Sequence, residues 1–134
     1  MKTRAMLTLD DCKRISAAAE AEAKKNNWNV CVAIVDDGGH LLHLFRMDGA
    51  TPANSRIAVE KSRTSAETRR STAMWEERIK GGRIAMLRMP GITPVQGGLP
   101  IVIDGECIGA VGVSGVQSHE DEQIAKAGIA ALTQ

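Results

Sequence analysis

The sequence predicts an α+β fold in which an antiparallel sheet is covered by helices, and three observations predict it. Leu99–Ile103 and Cys107–Val113 are apolar runs joined around Asp104-Gly105, a pair that accepts positive φ at little strain and so marks a two-residue hairpin. Val30–Val35 and His40–Met47 flank Asp36-Asp37-Gly38-Gly39, a second short glycine-containing loop between strands. Three further stretches carry apolar or small residues at helical spacing, from Thr8, from Asn54 to Thr68, and from about Gln117 to Leu132.

The first helix is capped by Thr8, with Asp11 at the third position and Leu7 able to touch Cys12. Its buried stripe is Leu9, Cys12, Ile15, Ala19 and Ala23, and Asn26-Asn27 ends it because asparagine tolerates a left-handed cap. Val30–Val35 is a continuous apolar run rich in β-branched residues, which fits a strand covered on both faces. In the return strand Leu41, Phe45 and Met47 are expected on one face, with Leu42 and Leu44 on the other. Pro52 suits the first turn of the second helix. That helix has a stripe of small residues, Ser55, Ala58, Ser62 and Ser65, which lets it lie close to a sheet or a partner helix. Gly109, Gly112 and Gly115 interrupt the last strand, where glycine marks a bulge or a close approach. Ser118 is expected to cap the last helix, with Asp121 three residues on; Ile124, Ala127, Gly128, Ala131 and Leu132 form its buried stripe.

A chain of 134 residues can build one domain with a real core but not two, so residues 1–134 are expected to form a single domain. The formal net charge of +1 gives no global field directed at nucleic acid or membrane. Trp28, Phe45 and Trp75 are the whole aromatic complement, which counts against a base-stacking surface. Cys12, Cys31 and Cys107 lie far apart without a CxxC, as expected of buried reduced thiols in a cytoplasmic protein. The start MKTRAMLTLDD lacks the apolar run of a signal peptide, and no segment is long enough to span a bilayer. Residues 56–88 hold seven arginines and two lysines against four glutamates, which fits a solvated or subunit-facing surface better than an anion site. The apolar residues of the same region, Met74, Trp75, Ile79, Ile84, Met86, Leu87 and Met89, are either core or a subunit contact.

Four blocks in order, VAIVDDGGHLLHLFRMDGA, S-x-x-A-x-x-K-x-x-T-x-A from Ser55 to Ala66, GGLPIVIDGECIGAVGVSG and EDEQIAKAG, resemble the GlcG/HbpS-like family, which includes the C-terminal domain of PduO-type proteins. The resemblance covers nearly the whole chain. It implies a profilin-like or PAS-like fold, an antiparallel sheet carrying helices, and assembly into homo-oligomers. Several members bind or degrade haem, while others belong to catabolic operons, so the resemblance fixes fold better than function.

Haem needs an axial ligand and an apolar slot. The histidines are His40, His43 and His119, and His40 matches the family's GGH position. The first helix has no histidine, so a ligand there would have to be Cys12, which the apolar stripe already explains. No metal site is expected at His119–Glu122, because consecutive helical residues do not converge on one ion. A phosphate cradle at GVSGVQS is disfavoured by Glu120, Asp121 and Glu122. Arg46, Asp48, Ser55 and Lys61, on a strand end and the following helix, are expected to share a cleft. There Arg46 would hold a carboxylate, and Lys61, once desolvated, would act as base or amine nucleophile. Gly97 and Gly98 would offer backbone N–H groups to the same cleft. Ser114 is a ligand-binding candidate only, because no histidine and acid stand at triad spacing. The plain alternative is an Arg46–Asp48 pair, or a pair between Lys61 and an aspartate, that merely fixes a loop.

Three functions stay open. The first is a small-ligand-binding protein, with haem or a related tetrapyrrole as leading ligand. The second is an enzyme on a small carboxylate or carbonyl compound, with Arg46 binding and Lys61 or Asp121 moving protons. The third is an oligomeric scaffold without a ligand.

Overall fold

A computed structural model describes residues 1–133. In order it contains α1 (Leu9–Lys25), β1 (Cys31–Asp36), β2 (Leu41–Arg46), α2 (Pro52–Thr68) and α3 (Thr72–Lys80). A short 3-10 segment (Ile84–Arg88) follows, then β3 (Gly98–Ile103), β4 (Glu106–Ser114) and α4 (Ser118–Ala130). The four strands form one antiparallel sheet in the order β2-β1-β4-β3.

The turns follow from residue chemistry. Asp104 and Gly105 have φ of 51° and 79°, the two positive values that a tight β3–β4 turn of matching twist requires. At α1, Asp11 N–H donates to Thr8 Oγ1 (3.1 Å) and Thr8 N–H to Asp11 Oδ2 (2.9 Å), the expected reciprocal cap. The backbone and side-chain bonds with Thr8 hold the Asp11 carboxyl below its usual range. At α4 the cap is one residue earlier than expected. Gln117 is the N-cap, its N–H donating to Glu120 Oε1 (3.1 Å), while Ser118 is the first helical residue. Asp121 is not free to cap because its carboxylate is turned inward, toward Lys61.

Period-two alternation in the central strands separates the two faces of the sheet. Val32, Ile34, Ile101, Val111 and Val113 pack with Cys12, Ile15 and Ala19 of α1 and Ile124 and Ala125 of α4 in the main core. Cys31, Ala33, Val35 and Ala110 point the other way, where Ala58 and Ala66 of α2 meet them. The unbroken apolar run of β1 is thus explained by cover on both sides. All three cysteines are free and buried. On the edge strand β2 the alternation slips. Ile34 pairs with His43 and Val35 with Leu41, so a bulge leaves Leu42 extra. Leu41 is therefore 51% exposed instead of sharing the half-buried face of Phe45 and Met47.

Trp75 and Met86 of the α3 region are buried, with Trp75 Nε1–H donating to Thr68 Oγ1 (3.2 Å). Ile84 and Leu87 are exposed, so the soft apolar bulk of this region is split between core and surface.

The small stripe of α2 does bring its backbone onto the sheet. A Cβ on Gly112 would lie 2.2 Å from Ala58 O and 2.5 Å from Ser62 N. Both are backbone atoms of a packed helix and cannot swing away. Gly112→Ala is therefore expected to destabilise the protein by about 3 kcal/mol through overpacking. Urea denaturation checks this; an unchanged midpoint would show that α2 is free to lift.

Candidate functional site

Lys61 and Asp121 are both 2% exposed, and they meet at the end of the sheet. Lys61 Nζ donates to Asp121 Oδ2 (3.0 Å) and to Val113 O (2.9 Å). Asp121 Oδ1 accepts the N–H of Val116 (3.1 Å), which fixes the bend between β4 and α4. α2 lies on one face of the sheet and α4 on the other, so the pair joins the two helical layers around the sheet's edge. Space for the ammonium comes from Gly97, at φ 136°, where a Cβ would stand 2.7 Å from both Lys61 Nζ and Val113 O. Burial pushes the Asp121 carboxyl above its usual range, and Lys61 and the Val116 N–H pull it only part of the way back.

Of the remaining sequence candidates, Gly97 packs against this pair, and the others make their polar contacts elsewhere. Gly98 N–H donates to Thr72 Oγ1 (2.9 Å), and Gly97 O accepts from Val113 N (3.0 Å), so the Gly98 N–H expected to face a cleft is already used. Ser114 Oγ donates to Asn54 Oδ1 (2.9 Å), and Ser55 Oγ lies 3.6 Å from Cys31 Sγ. Arg46 and Asp48 line a surface cleft with Glu20, Lys24, Asn29, Phe45, Met47 and Gly49. The expected common cleft of Arg46, Asp48, Ser55 and Lys61 is not formed. Arg46 belongs to edge strand β2, whereas Lys61 reaches β4, and β1 lies between them. At about 4.8 Å per strand, β2 and β4 lie roughly 10 Å apart across the sheet. Nor does the alternative Arg46–Asp48 pair form among the described residues; the lysine–aspartate pair does, and it fixes the 114–117 bend.

Of the histidines, His43 Nδ1 is 2.9 Å from Ser16 Oγ, and His119 lies in the first turn of α4. His40 is different. It follows the β1–β2 turn, and its Nδ1 lies 3.1 Å from Asp36 Oδ1. The same carboxylate accepts the N–H groups of Gly38 (2.9 Å) and His40 (3.0 Å). Burial alone would raise the Asp36 carboxyl, but those N–H groups and the imidazole together bring it below its usual range. The imidazole is thus oriented through Nδ1, and Nε2 has no partner among the described residues. His40 opens onto a recess of about 380 Å³ formed with Gly38, Gly39, Leu41, Val59, Arg63 and Glu67. Val59 is shared with a neighbouring recess lined by Leu44, Ser55, Arg56 and Glu60, so one groove follows β2 along α2. Sequence reading missed Asp36 as the orienting partner; its signal was an aspartate four residues before His40 across a Gly-Gly turn. No group of three or more His, Cys, Asp or Glu that could hold a metal ion occurs among the described residues.

Breaking the buried pair has a defined cost. Lys61→Met strands the Asp121 carboxylate and is expected to lose about 3–5 kcal/mol at neutral pH, while Lys61→Met/Asp121→Leu recovers most of it. The Asp121 carboxyl titrates higher in the folded chain than in the unfolded one. The folded state therefore binds more protons between the two values, and stability falls as pH rises through that window. Without Lys61 the window extends upward, so the single variant is expected to regain stability as pH is lowered into it. Chemical denaturation at several pH values checks this; equal losses for the single and double variants at every pH would contradict it.

Known proteins share this fold and much of this sequence. The family model for the haem degrading protein HbpS-like family matches residues 7–130. Protein GlcG of Escherichia coli is 49% identical over 114 residues, 85% of each chain. A crystal structure of a double mutant of Streptomyces reticuli HbpS superimposes with a TM-score of 0.89 at 31% identity, covering 98% of this chain and 90% of that one. The crystal structure of a PduOC:haem complex gives a TM-score of 0.86 at 27% identity, covering 95% of each chain. The four-stranded sheet, the two helical layers and the sequence match together place this chain in the HbpS-like family.

Proposed function

We propose that this protein binds haem or a related tetrapyrrole in the groove between β2 and α2, where His40 would hold the group through Nε2. One observation carries the reading: an imidazole held by a carboxylate through Nδ1 lines a groove, and its Nε2 has no partner among the described residues. Carboxylate-oriented imidazoles are the usual form of a metal-ligating histidine, because the second hydrogen bond fixes both tautomer and ring angle. The groove's chemistry fits the group. Leu41, Leu44 and Val59 offer apolar wall, and Arg56 offers a cation for a carboxylate substituent, while Arg63 is paired with Glu60 (3.5 Å) and Glu67 (3.9 Å) along the same groove. The haem in the PduOC complex supports the ligand class, since that chain shares this fold.

Bound haem would supply a redox-active iron. The chain's own part is to hold the ring and orient one ligand. Lys61 and Asp121 have no place in this reading as proton carriers, since each is only 2% exposed and engaged with the other. We further propose a homo-oligomer. Leu42 (39%), Ile84 (69%) and Leu87 (59%) leave large apolar side chains uncovered on a single chain. No helix among the described residues is long and apolar enough to cross a membrane.

Titration of the protein with hemin tests the reading. A saturable Soret shift of fixed stoichiometry is expected, lost in His40→Ala. In Asp36→Asn it is weakened about 10- to 100-fold as the imidazole loses its orienting carboxylate. A spectrum indistinguishable from free hemin, or an unchanged titration of His40→Ala, would overturn the assignment.

A further inference from the structure

A second cleft, of about 430 Å³, lies at the far end of β2 against the last turns of α1. It merges with a recess that adds Asn27 and Trp28 and shares Lys24, Asn29 and Met47. Its charges are arranged unusually. Lys24 Nζ is bonded to Glu20 Oε2 (2.7 Å), so these two satisfy one another. Arg46 and Asp48, two residues apart, have no ion-pair partner among the described residues, and they do not pair with each other. The amide of Asn29 is likewise without a hydrogen-bond partner among the described residues. It is held in place sterically, packed on the Asp48-Gly49 turn where a Cβ on Gly49 would lie 2.5 Å from its Nδ2. Phe45 and Met47 are anchored by packing against the main core, as is Trp28, so the cleft has a fixed apolar floor.

We propose that this cleft binds a small zwitterion with an apolar side chain, of the chemical class of a hydrophobic α-amino acid. Arg46 offers donors in a planar fork suited to a carboxylate, and the side-chain amide of Asn29 lines the same cleft. Asp48 offers an acceptor for an ammonium. The unpaired charges sum to zero, so a plain carboxylic acid meets Asp48 as repulsion and a plain amine meets Arg46 as repulsion. Trp28, Phe45 and Met47 give the side chain an apolar surface. The site is distinct from the groove of His40 and does not depend on it.

L-phenylalanine, 3-phenylpropionate and phenethylamine, titrated into the labelled protein and followed by backbone amide NMR, test this. L-phenylalanine is expected to give saturable shifts confined to residues 24–29 and 45–49, at about millimolar affinity for so open a cleft. The two singly charged analogues are expected to bind about tenfold more weakly or worse. Arg46→Met and Asp48→Asn, both at exposed positions and expected to fold, should each weaken L-phenylalanine about 10- to 100-fold. Asp48→Asn should at the same time improve 3-phenylpropionate. Absence of saturable shifts at these residues, equal affinity for all three compounds, or unchanged affinity in both variants would overturn the proposal.

Discussion

A buried ammonium–carboxylate contact between α2 and α4 sets the geometry at the open end of the sheet. Removing two charges from water costs several kcal/mol for each, and their attraction offsets this only when other hydrogen bonds complete both groups. Here Val113 O and the Val116 N–H supply those bonds. The pair is therefore better understood as a device that fixes one arrangement than as a large net source of stability. Only one rotation of α4 puts Asp121 inside, and only one seating of α2 puts Lys61 beside Gly97.

That constraint shapes everything around it. α2 must lie close enough to the sheet for Lys61 to reach past β4, and close approach requires small groups on both surfaces. Gly112 meets that need under Ala58 and Ser62, and Gly98 meets it under Lys61 O, which would stand 2.5 Å from any Cβ at that position. Close seating on the central strands also leaves edge strand β2 only partly covered. Leu41 and Leu44 remain exposed there, and the groove beside His40 opens along α2. The candidate haem groove is thus a consequence of how tightly the helix is drawn onto β1 and β4.

Much of this was legible in the chain itself. Asp104-Gly105, the Thr8 cap and the two-sided run at β1 each rest on local rules that tertiary context does not override. The small stripe of α2 and the glycines of β4 correctly signalled a close contact. What failed did so for reasons of distance and competition. Asp121 reads as a capping residue from its spacing, but a buried lysine 60 positions earlier claims its carboxylate. Arg46 and Lys61 read as neighbours along the chain, yet β1 lies between the strand of Arg46 and the strand that Lys61 reaches, because the sheet order is not visible in sequence. The orienting role of Asp36 needs a turn geometry that Asp-Asp-Gly-Gly permits without dictating.

The central claim is that the Lys61–Asp121 contact makes the two helical layers a single cooperative unit. Native-state amide hydrogen exchange tests it most directly. If the contact couples the layers, amides of α2 around Lys61 and of α4 around Asp121 open with the same free energy, and in Lys61→Met/Asp121→Leu the two sets separate. Independent opening of α4 in the wild-type protein, at a free energy well below that of α2, would contradict the account.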